Sequence, residues 1–274
     1  MSSRAPSLPP ERHRHLRVTA ELAHGAVLDP RWPLPLDGIL ASAVRRDLHG
    51  DRYGGVRDPH VHPLPLAART AGSRRWWWLA SCAAWPGAGE EVRYWHRRVP
   101  HAAAERVTGD LLPPMIYEGH GRYRAYRMPL VVTLASRLEW MACGDPAAIR
   151  ALLETVWCVG KKRSQGEGEV LRWTVDDLGA ADPLAVMWHA DGRISRPVPA
   201  RAAAALGLDD PDTTAGAYRP PYWRPPEDHG QPGGDGPFAR QWQEVIAPWT
   251  MRPPMPSCSA TAASSARASR PGPS

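Results

Sequence analysis

From Leu16 to Leu22 the chain reads L-R-V-T-A-E-L, with apolar Leu16, Val18, Ala20 and Leu22 alternating with polar Arg17, Thr19 and Glu21. A period of two predicts a half-buried strand. After a Gly/Pro-rich connection, Leu36, Ile39, Leu40, Ala43 and Val44 return at helical spacing, and Asp37 stands where it can cap that helix. The run R-W-W-W-L-A-S-C-A from Arg75 predicts a second, strongly apolar strand. Alternation puts Trp76 and Trp78 on one face and Trp77 on the other, which favours core packing over a base-stacking platform. In V-R-Y-W-H-R-R-V, a strand would carry Arg93, Trp95 and Arg97 on one face and Val92, Tyr94 and His96 on the other. That interleaving suits an RNA backbone with stacked bases, and equally a sheet edge guarded by charge.

Residues Met128 to Met141 predict one or two further strands. Next, Asp145 is a good N-cap and Pro146 fits the first helical position, with Ile149, Leu152, Leu153 and Val156 on one face and Gly160 placed to end the helix. V-L-R-W-T-V from Val170 is then a closing strand. The order is strand, helix, strand, insertion, strand, helix, strand, which predicts an α+β, ferredoxin-like β-α-β-β-α-β domain, the layout also of the RNA-recognition fold. Residues 1–13 read as a flexible leader and 14–211 as the domain. An insertion at about 84–127 forms a basic hairpin or thumb, and 212–274 is a Pro/Gly-rich extension disordered toward the C-terminus.

Between the second helix and the closing strand lies V-G-K-K-R-S-Q-G-E-G-E-V, in which Gly160, Gly166 and Gly168 bracket Lys161, Lys162 and Arg163. Glycines reach positive φ and permit close approach, consecutive N–H groups make an anion-binding concavity, and three cations add charge. A Walker A loop would need Lys and Ser/Thr after its last glycine and a following helix, and the dinucleotide fingerprint would follow a first strand. The run E-G-H-G-R-Y-R-A-Y-R adds Arg122, Tyr123 and Arg124, and Arg97 and Arg98 complete the candidate RNA-binding residues.

A net charge of +6 and a pI near 9.4 favour an anionic partner such as nucleic acid. Cys82, Cys143, Cys158 and Cys258 show no C-x2-C spacing, so neither a zinc knuckle nor a disulfide framework is expected, and the chain reads as cytoplasmic. No apolar run reaches the length of a membrane span. Eleven histidines offer general acids or bases, but no Ser/His/Asp order or nucleophile elbow appears. D-P-H-V-H, Asp58 to His62, sets two histidines one residue apart, a pattern that reads as a Pro-rich loop before it reads as a metal site. No catalytic residue, metal or cofactor is expected.

On these residues the chain resembles the RAMP superfamily, the RNA-binding subunits of CRISPR effector complexes. The loop from Gly160 to Gly168 is similar to that superfamily's glycine-rich signature, and P-L-D-G-I-L-A-S-A at Pro35 to Ala43 is similar to the opening of its first helix. The order of W-W-W-L-A-S, Y-W-H-R-R, G-H-G-R-Y-R and G-D-P-A-A-I-R-A-L-L is most similar to the type IV subunit that holds the 5′ handle of the guide RNA. Glu167 departs from the pattern, standing where such loops carry an aromatic or aliphatic residue, and argues against a close phosphate contact there. The resemblance implies a non-catalytic partner of guide RNA (crRNA) and of the other effector subunits, in particular backbone and large subunits. The alternative it leaves is a metal-independent endoribonuclease that matures the guide.

Overall fold

The structure is a computed structural model that describes residues 9–29, 34–50, 58–71, 75–85, 88–108, 117–180, 182–188, 194–199, 202, 206 and 217–222. Its strands and helices run β1 (Arg14–Leu22), α1 (Leu36–His49), β2 (Ala68–Ala71), β3 (Arg75–Trp78), β4 (Gly89–Arg97), α2 (His101–Thr108), β5 (Tyr126–Leu134), β6 (Arg137–Gly144), α3 (Pro146–Leu153) and β7 (Val170–Asp177). Mixed helices and small antiparallel sheets make it α+β, as the pattern predicts.

The central sheet has the order β6-β1-β7, with Val18 opposite both Trp140 and Val175. Leu16, Val18, Ala20 and Leu22 are all buried, so the period-two reading of β1 holds. On that face they meet Ile39, Leu40 and Ala43 of α1 and Ile149 and Leu153 of α3. The opposite face of β1 carries Arg17, paired with Asp176, and Glu21, paired with Arg172. β2 and β3 form a hairpin, and isolated bridges from Leu66 to Gly144, Ala80 to Ala142 and Ala84 to Glu139 attach its flanks to β6. β4 and β5 form a separate antiparallel ribbon.

All three tryptophans of β3 are buried. Trp76 and Trp78 join the main core, while Trp77 joins a second cluster with Val186, Met187, Ile194, Val198 and Tyr218. Alternation therefore sorted them correctly, as packing residues.

Two local expectations are corrected. α3 stops at Leu153, well before Gly160. There the Thr155 hydroxyl and N–H both donate to the Leu152 carbonyl, and Val156 N–H turns back to Leu153 in a tightened last turn. The chain is then drawn into an extended path, with Val159 N–H donating to Gly168 and Val170 N–H to Trp157. The N-terminal half of the helix behaves as expected: Asp145 caps Ala147 and Ala148 with Pro146 in the first turn.

The second correction concerns Asp37. It does not cap α1, whose N-cap is Pro35 with no side-chain bond. Asp37 is instead fully buried 3.0 Å from the guanidinium of Arg196, and its other oxygen accepts from the Tyr222 hydroxyl at 2.7 Å. Arg196 further donates to the carbonyls of Trp78, Ala80 and Tyr218. Burial works against a charged guanidinium, but the Asp37 carboxylate overrides it and holds Arg196 above its ordinary pKa. Burial and the same carboxylate push the Tyr222 phenol well up, and burial pushes the nearby Cys82 thiol up to about 12. The segments around 196 and 217–222 are thus locked onto the start of α1 and onto β3.

Candidate nucleic-acid interface

The glycine loop is built from the backbone outward. Gly160, Gly166 and Gly168 all have positive φ, at +79°, +86° and +74°. Their surroundings differ. A Cβ on Gly168 would overlap the Val159 carbonyl, and one on Gly160 would lie 2.8 Å from the Val27 carbonyl, whereas Gly166 faces open space. Gly160 and Gly168 therefore close the loop against its neighbours, and Gly166 turns its exposed tip. Lys161 N–H donates to Val27, Gly168 N–H to Gly25, Gln165 N–H to Lys162 and Gly166 N–H to Arg163. The bonds of Lys161 and Gly168 tie the loop to residues 25–27, and those of Gln165 and Gly166 shape its exposed tip.

The three cations are placed differently. Lys161 Nζ lies 2.9 Å from Asp29, in an exposed pair. Lys162 stands at φ +59°, the one non-glycine with positive φ among the described residues, and its Nζ lies 4.0 Å above the Trp95 ring. Arg163 is exposed at the start of a short 3-10 turn. A left-handed lysine costs about 1–2 kcal/mol relative to glycine.

The ribbon completes the surface. The face of β4 predicted to carry Arg93, Trp95 and Arg97 is turned to the loop. Arg93 donates to Glu167 at 3.0 Å, to Glu91 at 3.1 Å and to the His24 carbonyl at 3.2 Å. The acidic residue that breaks the expected loop pattern is thus an anchor: Glu167 is buried and ties the loop to the ribbon. Glu91 and Glu167 hold the Arg93 guanidinium above its ordinary pKa despite its partial burial. Trp95 meets Tyr126 of β5 edge-on at 5.1 Å, and Arg97 lies 5.8 Å from the same tyrosine ring. Lys162, Trp95, Tyr126 and Arg97 form a continuous run with a cation at each end and two rings between them.

The other predicted residues lie at the far end of the ribbon. Arg98 pairs with Glu118 at 3.4 Å. Gly121, Arg122 and Tyr123 make a 3-10 turn that leads into β5, and Arg124 is exposed just after it. The side chain of Arg122 lies outside what is described. Sequence reasoning missed Asp29 and the structural role of Glu167. The acidic pairing is the signal that could have found them, a lone carboxylate within or opposite a cationic run.

Beside the loop, Val27, Leu28, Asp29, Leu34, Lys161 and Tyr222 are among the residues lining a largely apolar cavity of about 220 Å³. No group of three His, Cys, Asp or Glu able to hold a metal ion occurs among the described residues.

The family model of the CRISPR type IV associated protein Csf3 matches residues 14–230. The chain belongs to this family. The match spans the central sheet, the ribbon, the glycine loop and the buried Arg196–Asp37 network. It makes the protein a type IV CRISPR-associated subunit, with a place in a complex alongside other subunits. No curated protein matches the chain. No helix among the described residues is long and apolar enough to cross a membrane.

Proposed function

We propose that this subunit is a non-catalytic RNA-binding component that grips the 5′ handle of the guide RNA between the glycine loop and the β4–β5 ribbon. The observation that carries the reading is Lys162 stacked on Trp95, with Trp95 against Tyr126, because it makes loop and ribbon one surface. Single-stranded RNA is held by cations that track its phosphates and by rings on which bases stack, and this run combines the two. The neighbours of β1, with β6 on one side, β7 on the other and residues 80–84 bridged to the outer edge of β6, support a ferredoxin-like arrangement. The ribbon takes the place of the thumb. Backbone and large subunits of the same complex would flank the bound guide, in the cytoplasm. No observation favours the endoribonuclease alternative.

The test is a filter-binding titration of guide-repeat RNA across salt concentrations. Each phosphate contact contributes about 0.7 to the logarithmic salt slope on single strands. Lys161→Ala/Lys162→Ala/Arg163→Ala is expected to lower affinity and flatten that slope by about one to two. An unchanged slope would remove the loop from the RNA path. Repeat RNA should also remain intact on incubation in EDTA, and a single cut would replace the binding role with the nuclease.

A further inference from the structure

The D-P-H-V-H stretch, which the loop and ribbon leave unused, packs against α1. Asp58 is buried, and both of its carboxylate oxygens are taken. Oδ1 accepts the His60 backbone N–H at 2.9 Å and His60 Nδ1 at 2.7 Å. Oδ2 accepts His62 Nε2 at 2.7 Å and His49 Nε2 of α1 at 3.1 Å. Burial alone would raise the Asp58 carboxyl, and these four donors outweigh it and hold it well below the usual carboxylate range. A ring nitrogen that donates to a carboxylate carries a proton. His60 is therefore fixed with its proton on Nδ1 and His62 with its proton on Nε2, which leaves His60 Nε2 and His62 Nδ1 for another partner.

Both histidines line a cavity of about 170 Å³, together with Arg45, Ser42, Trp78 and Tyr222. Trp78 is fully buried, and its indole N–H has no acceptor among the described residues. A buried donor left unmatched is costly. Asp58, behind the histidines, has its oxygens occupied by four donors, so its repulsion of an anion is muted. The cavity is smaller than the roughly 300–1,000 Å³ that takes a drug-sized ligand. It has room for a charged group rather than for a whole nucleotide.

We infer that this cavity is a second anion site, separate from the glycine loop, that takes a single phosphoryl group. Arg45 supplies the forked guanidinium contact that phosphate oxygens favour. His60 Nε2 and His62 Nδ1 are the second ring nitrogens left to meet the phosphoryl group. Asp58 acts as a positioning residue that fixes both rings. The phosphoryl group is either a free small phosphate or the end of an RNA chain.

The experiment uses the full 15N-labelled chain and reads the ring nitrogens of His60 and His62, assigned with His60→Gln and His62→Gln. It is titrated with inorganic phosphate, with uridine 5′-monophosphate, and with one oligoribonucleotide carrying either a 5′-phosphate or a 5′-hydroxyl. Saturable shifts of both rings with the small phosphates support the site and assign it to a free ligand. Shifts with the 5′-phosphorylated oligonucleotide and none with its 5′-hydroxyl form support the site and assign it to an RNA end. Arg45→Met is expected to weaken the response about tenfold or more, and Asp58→Asn to do the same by freeing the rings. Should Asp58→Asn not fold, Arg45→Met carries the test. Lys161→Ala/Lys162→Ala/Arg163→Ala should leave the response in place. Silence of both rings with every probe, an undiminished response in Arg45→Met, or its loss in the loop variant would each overturn the proposal.

Discussion

Two arginines meet carboxylates at the same distance in this protein, Arg93 with Glu167 and Arg196 with Asp37, each at 3.0 Å. Their surroundings separate them. The side chains of Arg196 and Asp37 are 0% exposed, whereas that of Arg93 is 30% exposed and Glu167's 11%. In the core the guanidinium is fully matched by a carboxylate, four carbonyls and a phenol, and nothing of it remains for a partner. At the rim the pair only fixes a loop whose other cations stay at the surface. The same chemistry thus serves the fold where water is excluded and, where water enters, fixes the loop to the ribbon in the surface proposed to bind RNA.

That contrast is most easily broken by removing one carboxylate from each pair. Asp37→Asn leaves a guanidinium buried without its counter-charge, and we expect about 3–5 kcal/mol of lost stability in urea unfolding. Glu167→Gln should cost about 1–2 kcal/mol, because solvent still reaches Arg93. Equal losses would show that burial does not distinguish the two pairs.

The loop itself sharpens the comparison. Gly168→Ala combines a left-handed backbone with overlap on the Val159 carbonyl, and should cost about 2 kcal/mol or more. Gly166→Ala meets the backbone term alone, about 1 kcal/mol, and should fold normally. Matching melting temperatures for the two would mean that the loop does not close as described. Lys162→Gly moves in the opposite direction. Relief of its positive φ should leave stability unchanged or raise it by up to about 1 kcal/mol, while RNA affinity falls several-fold with the loss of the Trp95 contact. A variant that is both less stable and fully active would make Lys162 a packing residue.

The smallest expected effect concerns acid. The Asp58 carboxyl is depressed in the fold, so its contribution is fully present above its unfolded value of about 3.9 and is lost as pH falls through its lower folded value. Thermal melts of wild type and Asp58→Asn should differ at neutral pH and draw together below about pH 4. A constant gap through that window would show that the carboxylate is not what secures the histidines.

What the sequence made legible was local. The period of Leu16 to Leu22, the cap at Asp145, the alternation of Trp76 to Trp78 and the shared face of Arg93, Trp95 and Arg97 all depend on neighbours within a few residues, and each matches the structure. The glycine loop was visible as three glycines around three cations, but the division of labour among those glycines was not. It depends on Val27 and Val159 carbonyls that approach from outside the pattern. Asp37 was misread because capping is a local rule, whereas its actual partner is 159 residues away in a segment without periodicity. Asp58 gathered a third histidine, His49, from the end of α1, which spacing within D-P-H-V-H could not reveal. Tertiary pairing of charges is where local reading ends.

The central claim is that loop and ribbon form one RNA-binding surface through Lys162 and Trp95. A double-mutant cycle on guide-repeat RNA affinity, with Lys162→Ala, Trp95→Leu and the double variant, tests it directly once circular dichroism shows all three folded. We predict that the two changes are non-additive, with a coupling of about 0.5 kcal/mol or more, as for residues in contact. Additive losses, or wild-type affinity in either single variant, would contradict the claim.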